Sequence, residues 1–168
     1  MIEEEIVQKM RQAYIRATQS PDTSTKLGAI YCEPGYLGGY WNVSSGVNSF
    51  VKGFGDRPED NERPFKYAVT EHAERNCIFA AARKRTFPLQ GVMVCNWIAC
   101  PDCARAIVAS GLQEVVCHHE CQLRTPERWK ELVDTGLLIL KRGGVKVTEW
   151  SGKVGGVKNL NNGEIWEP

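Results

Sequence analysis

Residues 71–117 read EHAERNCIFAAARKRTFPLQGVMVCNWIACPDCARAIVASGLQEVVC. Within this stretch Glu71 to Arg85 is helical in character, Gly91 to Trp97 is a short apolar strand, Pro101 to Ser110 is a second helix and Glu114 to Cys117 a further strand. Strands that alternate with helices predict an α/β layered sheet. On the N-terminal side, residues 2–18 place Ile2, Ile6, Val7, Met10, Tyr14 and Ile15 mostly three or four apart, an amphipathic helix that Ser20-Pro21-Asp22 ends. Leu27 to Cys32 reads as a buried strand, Glu33-Pro34-Gly35 as a turn, and Tyr36 to Val47 as a second strand with a bulge or kink at its glycines, so a hairpin is expected. Lys52 to Lys66, rich in Gly, Pro, Asp, Glu and Arg, predicts a surface loop near the chemistry that follows it. On the C-terminal side, Arg128 to Leu140 predicts a longer helix and Val145-Lys146-Val147 a last strand, while Ser151 to Pro168 is a Gly/Asn-rich tail with no element assigned. The 168 residues fit one domain.

A composition of 42% hydrophobic and 24% charged residues is that of an ordered globular protein. With 21 basic against 20 acidic side chains there is no surplus of positive charge to neutralise a phosphate backbone, which argues against long nucleic acid as a partner. The opening MIEEEIVQKMRQAYIRA intersperses charges and has no uninterrupted apolar run, so neither a secretory signal nor a membrane span is read there, and a cytoplasmic location is expected. Seven cysteines are an odd number, and two of them form a C-x-x-C pair, which in a cytosolic chain points to metal or redox chemistry rather than a disulfide framework.

Two fragments carry the chemistry: Glu71-His72-Ala73-Glu74 and, 28 residues after His72, Cys100-Pro101-Asp102-Cys103, each at the expected start of a helix. Cysteines three apart on one helical turn point the same way, so Cys100 and Cys103 offer two thiolates to one metal ion, and His72 can supply a third ligand. Three such ligands leave the fourth tetrahedral position of zinc to water, the arrangement of a catalytic rather than a structural site. Helix N-termini carry partial positive charge, which favours the thiolate form of both sulfurs. Glu74 lies two positions from His72, about 200° away on a regular helix, and so reads as a neighbour of the metal and not a ligand. A carboxylate beside a zinc-bound water can take its proton and later return it.

The stretches Thr25-Lys26-Leu27-Gly28-Ala29, Gly46-Val47-Asn48-Ser49, Glu71 to Ile78, and Cys100 to Ile107 leading to Ser110-Gly111, in this order, resemble the cytidine and deoxycytidylate deaminase superfamily and, within it, the dCMP deaminases. The resemblance covers roughly Ser20 to Val147. It departs from the family at Ala99, where the pattern has proline, and at Ser49, where it has glycine; neither change removes a ligand or the proton shuttle. The resemblance implies a three-layer α/β/α fold, with a mixed central sheet of about five strands and helices on both faces. It implies hydrolytic deamination of dCMP to dUMP: a zinc-activated water attacks C4 of cytosine, and Glu74 protonates N3 and then the leaving ammonia. Asn48 matches the asparagine that holds the sugar hydroxyl, the Ala73 backbone falls where the base edge is read, and Trp97 is placed to pack against the base or its sugar. The 5′-phosphate then needs Arg or Lys from the loop after Lys52 or the segment after Cys117. The family also implies a homo-oligomer, commonly a hexamer, with dCTP as activator and dTTP as inhibitor together with Mg2+. Thr25, Lys26 and Gly46 lie in the region expected to host such an effector.

The same zinc core also serves dCTP, free cytidine or deoxycytidine, or an adenosine in transfer RNA, with the choice made by pocket loops. A silent zinc module used for binding is the reading from another class, and Glu74 argues against it. Cys117-His118-His119-Glu120-Cys121 has the residues for a second zinc, but strand alternation sends neighbouring side chains to opposite faces. Cys32, Cys77 and Cys95 lie in apolar runs and are expected in the core. Arg83, Lys84 and Arg85 suit the C-terminus of the helix that Glu71 begins.

Overall fold

A computed structural model describes residues 1–86 and 90–168. The chain opens with α1 (Glu3–Ala17), followed by the hairpin of β1 (Gly28–Pro34) and β2 (Tyr40–Val47). A two-residue strand β3 (Ser49–Phe50), a 3-10 turn (Pro58–Asn61), α2 (Phe65–Val69) and β4 (Thr70–Glu71) lead to α3 (Ala73–Arg83). Then come β5 (Val92–Cys95), α4 (Pro101–Ser110), β6 (Glu114–His118), the short α5 (His119–Gln122), α6 (Glu127–Arg142) and β7 (Lys146–Trp150), and a final hairpin of β8 (Asn159–Asn161) and β9 (Glu164–Trp166).

Five strands form the central sheet in the order β2-β1-β5-β6-β7, with β1 antiparallel to both β2 and β5, and β5, β6 and β7 parallel to one another. The two-residue period of a strand sorts the core onto two faces. Met93 and Cys95 join Ala73 and Cys77 of α3 and Cys103 and Ile107 of α4 in one buried cluster; Val92 and Val94 face Ile6, Met10 and Tyr14 of α1 in another. Helices therefore cover both faces, the mixed α/β/α architecture expected. Cys32, Cys77 and Cys95 are all buried.

Four local readings need correction. The irregularity in the β1–β2 ladder falls not at glycines but at Val43, because Tyr31 pairs with Ser44 and Cys32 with Asn42. Gly38 and Gly39 instead make the turn, with φ of 94° and 69°, backbone that side chains with a Cβ rarely adopt. The helix read from Glu71 starts at Ala73, since Glu71 pairs with Ser49 in the small β3–β4 ladder. The segment read as a surface loop holds a 3-10 turn, and Lys66 within α2 is buried against Asp22 at 2.8 Å.

The tail is ordered into the fold. Arg11 donates to the carbonyls of Val154 (2.7 Å) and Gly155 (3.1 Å), Val154 is buried, and Asn159 Nδ2 donates to Lys26 O at 3.0 Å. Trp150 and Trp166 both stack on the His118 ring, at ring separations of 5.3 and 5.9 Å. His118 accepts the Tyr14 hydroxyl on Nδ1 at 2.8 Å, and its Nε2 lies 2.9 Å from Gly152 O. Its cluster therefore splits as alternation requires: Cys117 faces the α3–α4 side, and His118 faces α1 and the tail.

Candidate metal and catalytic site

His72 and Cys100 occupy equivalent places. Each is the last extended residue before a helix (φ −79°, ψ 155° before α3; φ −65°, ψ 169° before α4), so two helix N-termini converge on the same point. Cys103 follows within the first turn of α4. His72 Nδ1 lies 3.4 Å from Cys100 Sγ and 3.5 Å from Cys103 Sγ, and the three donor atoms are all within 4.8 Å of one another. Zinc bonded at ~2.3 Å to sulfur and ~2.0–2.1 Å to nitrogen in a tetrahedron holds such donors roughly 3.6 Å apart. The donor set fits zinc with little side-chain movement. Among the described residues it is the one group of three or more His, Cys, Asp or Glu so arranged.

The Cys100 thiol, hydrogen-bonded by Cys103 and His72, is brought down to about 4; His72, bonded to Cys100, is raised to about 9; Cys103, whose hydrogen bond to Cys100 keeps its proton in place, is pushed well up. A metal ion binding here displaces the protons of Cys103 and His72. Glu74 lies in the first turn of α3 and is buried, with Oε2 3.6 Å from Cys103 Sγ; burial pushes its carboxyl above the ordinary range.

Charges lock the two ligand-bearing helices together. Glu71 Oε1 accepts the His72 N–H at 2.9 Å and the Arg75 guanidinium, whose other arm lies 3.5 Å from Asp102 of α4. Arg75 was not singled out in the sequence, although its spacing of four from Glu71 is the signal for such a pair.

His72, Glu74 and Cys100 open into a cavity that Asn48 and Trp97 also line. Asn48 is buried; its Oδ1 accepts the Leu27 N–H at 2.7 Å and its Nδ2 donates to Thr25 O at 2.8 Å. An amide has two donors and two lone pairs, so one of each remains for a ligand. The Trp97 indole N–H is anchored on Thr125 Oγ1 at 2.9 Å. Ala73, between His72 and Glu74, is buried, with its carbonyl oxygen packed against Gly46 of β2.

The structure does not bring Thr25, Lys26 and Gly46 together as an effector site. Thr25 lines the main cavity, Lys26 Nζ is spent on the carbonyls of Ser20 (2.6 Å) and Thr18 (3.3 Å), and a Cβ at Gly46 would stand 2.2 Å from Ala73 O. The close approach that requires glycine there is to α3, which leaves no room for a phosphate.

Sequence reasoning missed most of the cavity wall: Asp22, Lys66, Tyr67, Trp129 and Asn162. Asp22 Oδ1 accepts Lys66 Nζ (2.8 Å) and the N–H groups of Ser24 (2.8 Å) and Thr25 (3.0 Å). Burial raises the Asp22 carboxyl, but these donors outweigh it and hold it below its usual range. Asp22 thus ties α2 to the 22–25 turn that forms one lip of the cavity.

Comparison with known proteins agrees with this geometry. Residues 3–119 match the family model for the cytidine and deoxycytidylate deaminase zinc-binding region. The chain is 30% identical over 141 residues to an uncharacterized deaminase of Aliivibrio fischeri, an alignment that spans 82% of this chain and 88% of that one. It superposes on the dCMP deaminase of cyanophage S-TIM5, crystallised with dCMP and dUMP, with a TM-score of 0.67 at 22% identity, covering 89% of this chain and 99% of the phage protein. It also superposes on part of a diaminohydroxyphosphoribosylaminopyrimidine deaminase/reductase of Thermotoga maritima, with a TM-score of 0.61 at 18% identity over 87% of this chain and 36% of that one. At these identities the two superpositions establish the fold.

Proposed function

Because the chain belongs to the cytidine and deoxycytidylate deaminase family, we propose that it is a zinc-dependent hydrolase that converts dCMP to dUMP and ammonia. The observation that carries the reading is the convergence of His72 Nδ1, Cys100 Sγ and Cys103 Sγ beside a buried carboxylate in one cavity. The three side chains would hold zinc and leave one coordination position to solvent. Bound there, zinc supplies an acidified water, with its pKa lowered to roughly 7.

The remaining chemistry falls to this chain's residues. Glu74 takes a proton from the attacking water and delivers it to N3 as oxygen adds to C4. It then carries the second proton to the amino group, so that the C4–N4 bond breaks, ammonia leaves and the ring becomes uracil. Burial raises the Glu74 carboxyl above its ordinary range, which makes it a better proton acceptor than an exposed carboxylate. Trp97, Leu27 and Ile98 form apolar wall around the reacting ring, and Asn48 offers its remaining N–H and lone pair to a sugar hydroxyl.

The test is turnover of dCMP, dCTP, cytidine and deoxycytidine, offered separately to zinc-loaded protein and followed by ammonia release and ultraviolet change. The highest kcat/KM is expected for dCMP. Better turnover of any other member of the panel would overturn the substrate assignment.

A further inference from the structure

The cavity contains cations that the deamination chemistry does not use. The Tyr67 and Trp129 rings meet edge to face at 5.5 Å, and each carries a guanidinium: Arg63 stands 5.8 Å over Tyr67 and Arg128 stands 5.8 Å over Trp129. A ring face restrains an arginine while leaving its N–H edges free. Among the described residues neither arginine has a carboxylate partner, whereas Arg75, Arg105 and Arg124 each have one. Lys66, the other cation of the cavity, is neutralised by Asp22. Arg63 and Arg128 both line the main cavity and a second cleft adjoining it, where Ser24 and Asn162 add neutral polar groups. Asn162 stands at the tip of the β8–β9 hairpin, fixed by its N–H to Thr25 Oγ1 (3.1 Å) and its Nδ2 to Arg124 O (3.1 Å).

We propose that Arg63 and Arg128 clamp the 5′-phosphate of the nucleotide substrate in the cleft they share with Ser24 and Asn162, and thereby select a nucleoside monophosphate. Two free planar forks suit one phosphate dianion by charge and by bidentate geometry; the more highly charged triphosphate exceeds what two cations neutralise, and the nucleoside leaves both unpaired. Arg63 and Ser24 lie within the residues that the family model matches and Arg128 and Asn162 beyond them, so the C-terminal part of the chain supplies half of the clamp. The inference rests on the reading of the cavity as a cytosine-nucleotide site.

Two measurements separate the clamp from that reading. The first is kcat/KM for dCMP and for deoxycytidine with wild type, Arg63→Gln and Arg128→Gln. Each substitution is expected to lower the dCMP-to-deoxycytidine ratio by about ten- to a hundredfold, mainly through KM, with partial recovery in Arg63→Lys and Arg128→Lys. The second is calorimetric binding of dCMP to Glu74→Gln protein with and without each arginine, in which Kd should rise by a similar factor. Turnover of dCMP with an unchanged ratio in both arginine variants would overturn the clamp and leave deamination standing. Arginine-dependent dCMP binding to a wild type that never releases ammonia would uphold the clamp and overturn deamination. A wild type that neither binds nor turns over dCMP would overturn both.

Discussion

Replacing the Glu74 carboxylate by its amide keeps the volume and removes the proposed proton acceptor, whereas truncating Cys103 removes a proposed metal ligand. Glu74→Gln is therefore expected to retain zinc and fold while kcat falls by at least a hundred- to ten-thousandfold; Cys103→Ala should lose the metal itself. Metal content and steady-state kinetics on the same preparations check both, and near-normal turnover in Glu74→Gln would remove Glu74 from the proton path. At this scale the sequence was most informative. His72, Glu74, Cys100 and Cys103 lie in two short segments whose spacing is set by a single helical turn, so local geometry alone brings the cysteines together. Asn48 needed the family resemblance, because an asparagine after a strand reads equally well as a turn residue. Arg75 was missed because its second partner, Asp102, is on another helix.

At the scale of elements, Gly46 is the contact on which β2 and α3 depend. A Cβ there would meet Ala73 O at 2.2 Å and Cys77 N at 2.4 Å, both backbone atoms, so Gly46→Ala must push apart the helix that carries Glu74 and the strand that leads to Asn48. A loss of about 1–3 kcal/mol in urea unfolding is expected, with a lower kcat. The tail makes a second, pH-dependent claim. Burial is the largest influence on His118 and holds its pKa below the ordinary 6.5, against the opposing pull of Gly152 O and Glu120; His119 adds to the lowering. The unfolded chain therefore takes up the proton first, so this stabilisation is complete above about pH 6.5 and declines as the pH falls below it. Wild type should lose more unfolding free energy than His118→Phe between pH 7.5 and 5; parallel curves would show that His118 is not the group responsible. The order of the tail was not legible because its anchors are tertiary: Trp150, Val154 and Trp166 are scattered apolar residues in a Gly/Asn-rich segment, and only the fold brings the two indoles onto His118.

At the scale of the molecule, the alternation of strands and helices from Glu71 onward was enough to predict a layered sheet, because parallel strands require crossover helices that leave a pattern in the sequence. That sheet sets the place of the chemistry. Cys95 ends β5 and Cys100 precedes α4, so the donor cluster sits beyond the carboxyl end of a strand, where α/β sheets open to ligands. The cavity walls were not legible, since Asp22, Lys66, Trp129 and Asn162 come from four separate segments and each has an ordinary local reading. The central claim is that this assembly is a zinc-dependent hydrolase of the cytosine amino group. Its most direct test is ammonia released from dCMP by zinc-loaded protein, before and after the metal is stripped with a chelator and then restored. The account predicts one ammonia per dUMP formed, loss of release on stripping and recovery with zinc. Folded, zinc-loaded protein that releases no ammonia, or release undiminished by removal of the metal, would contradict it.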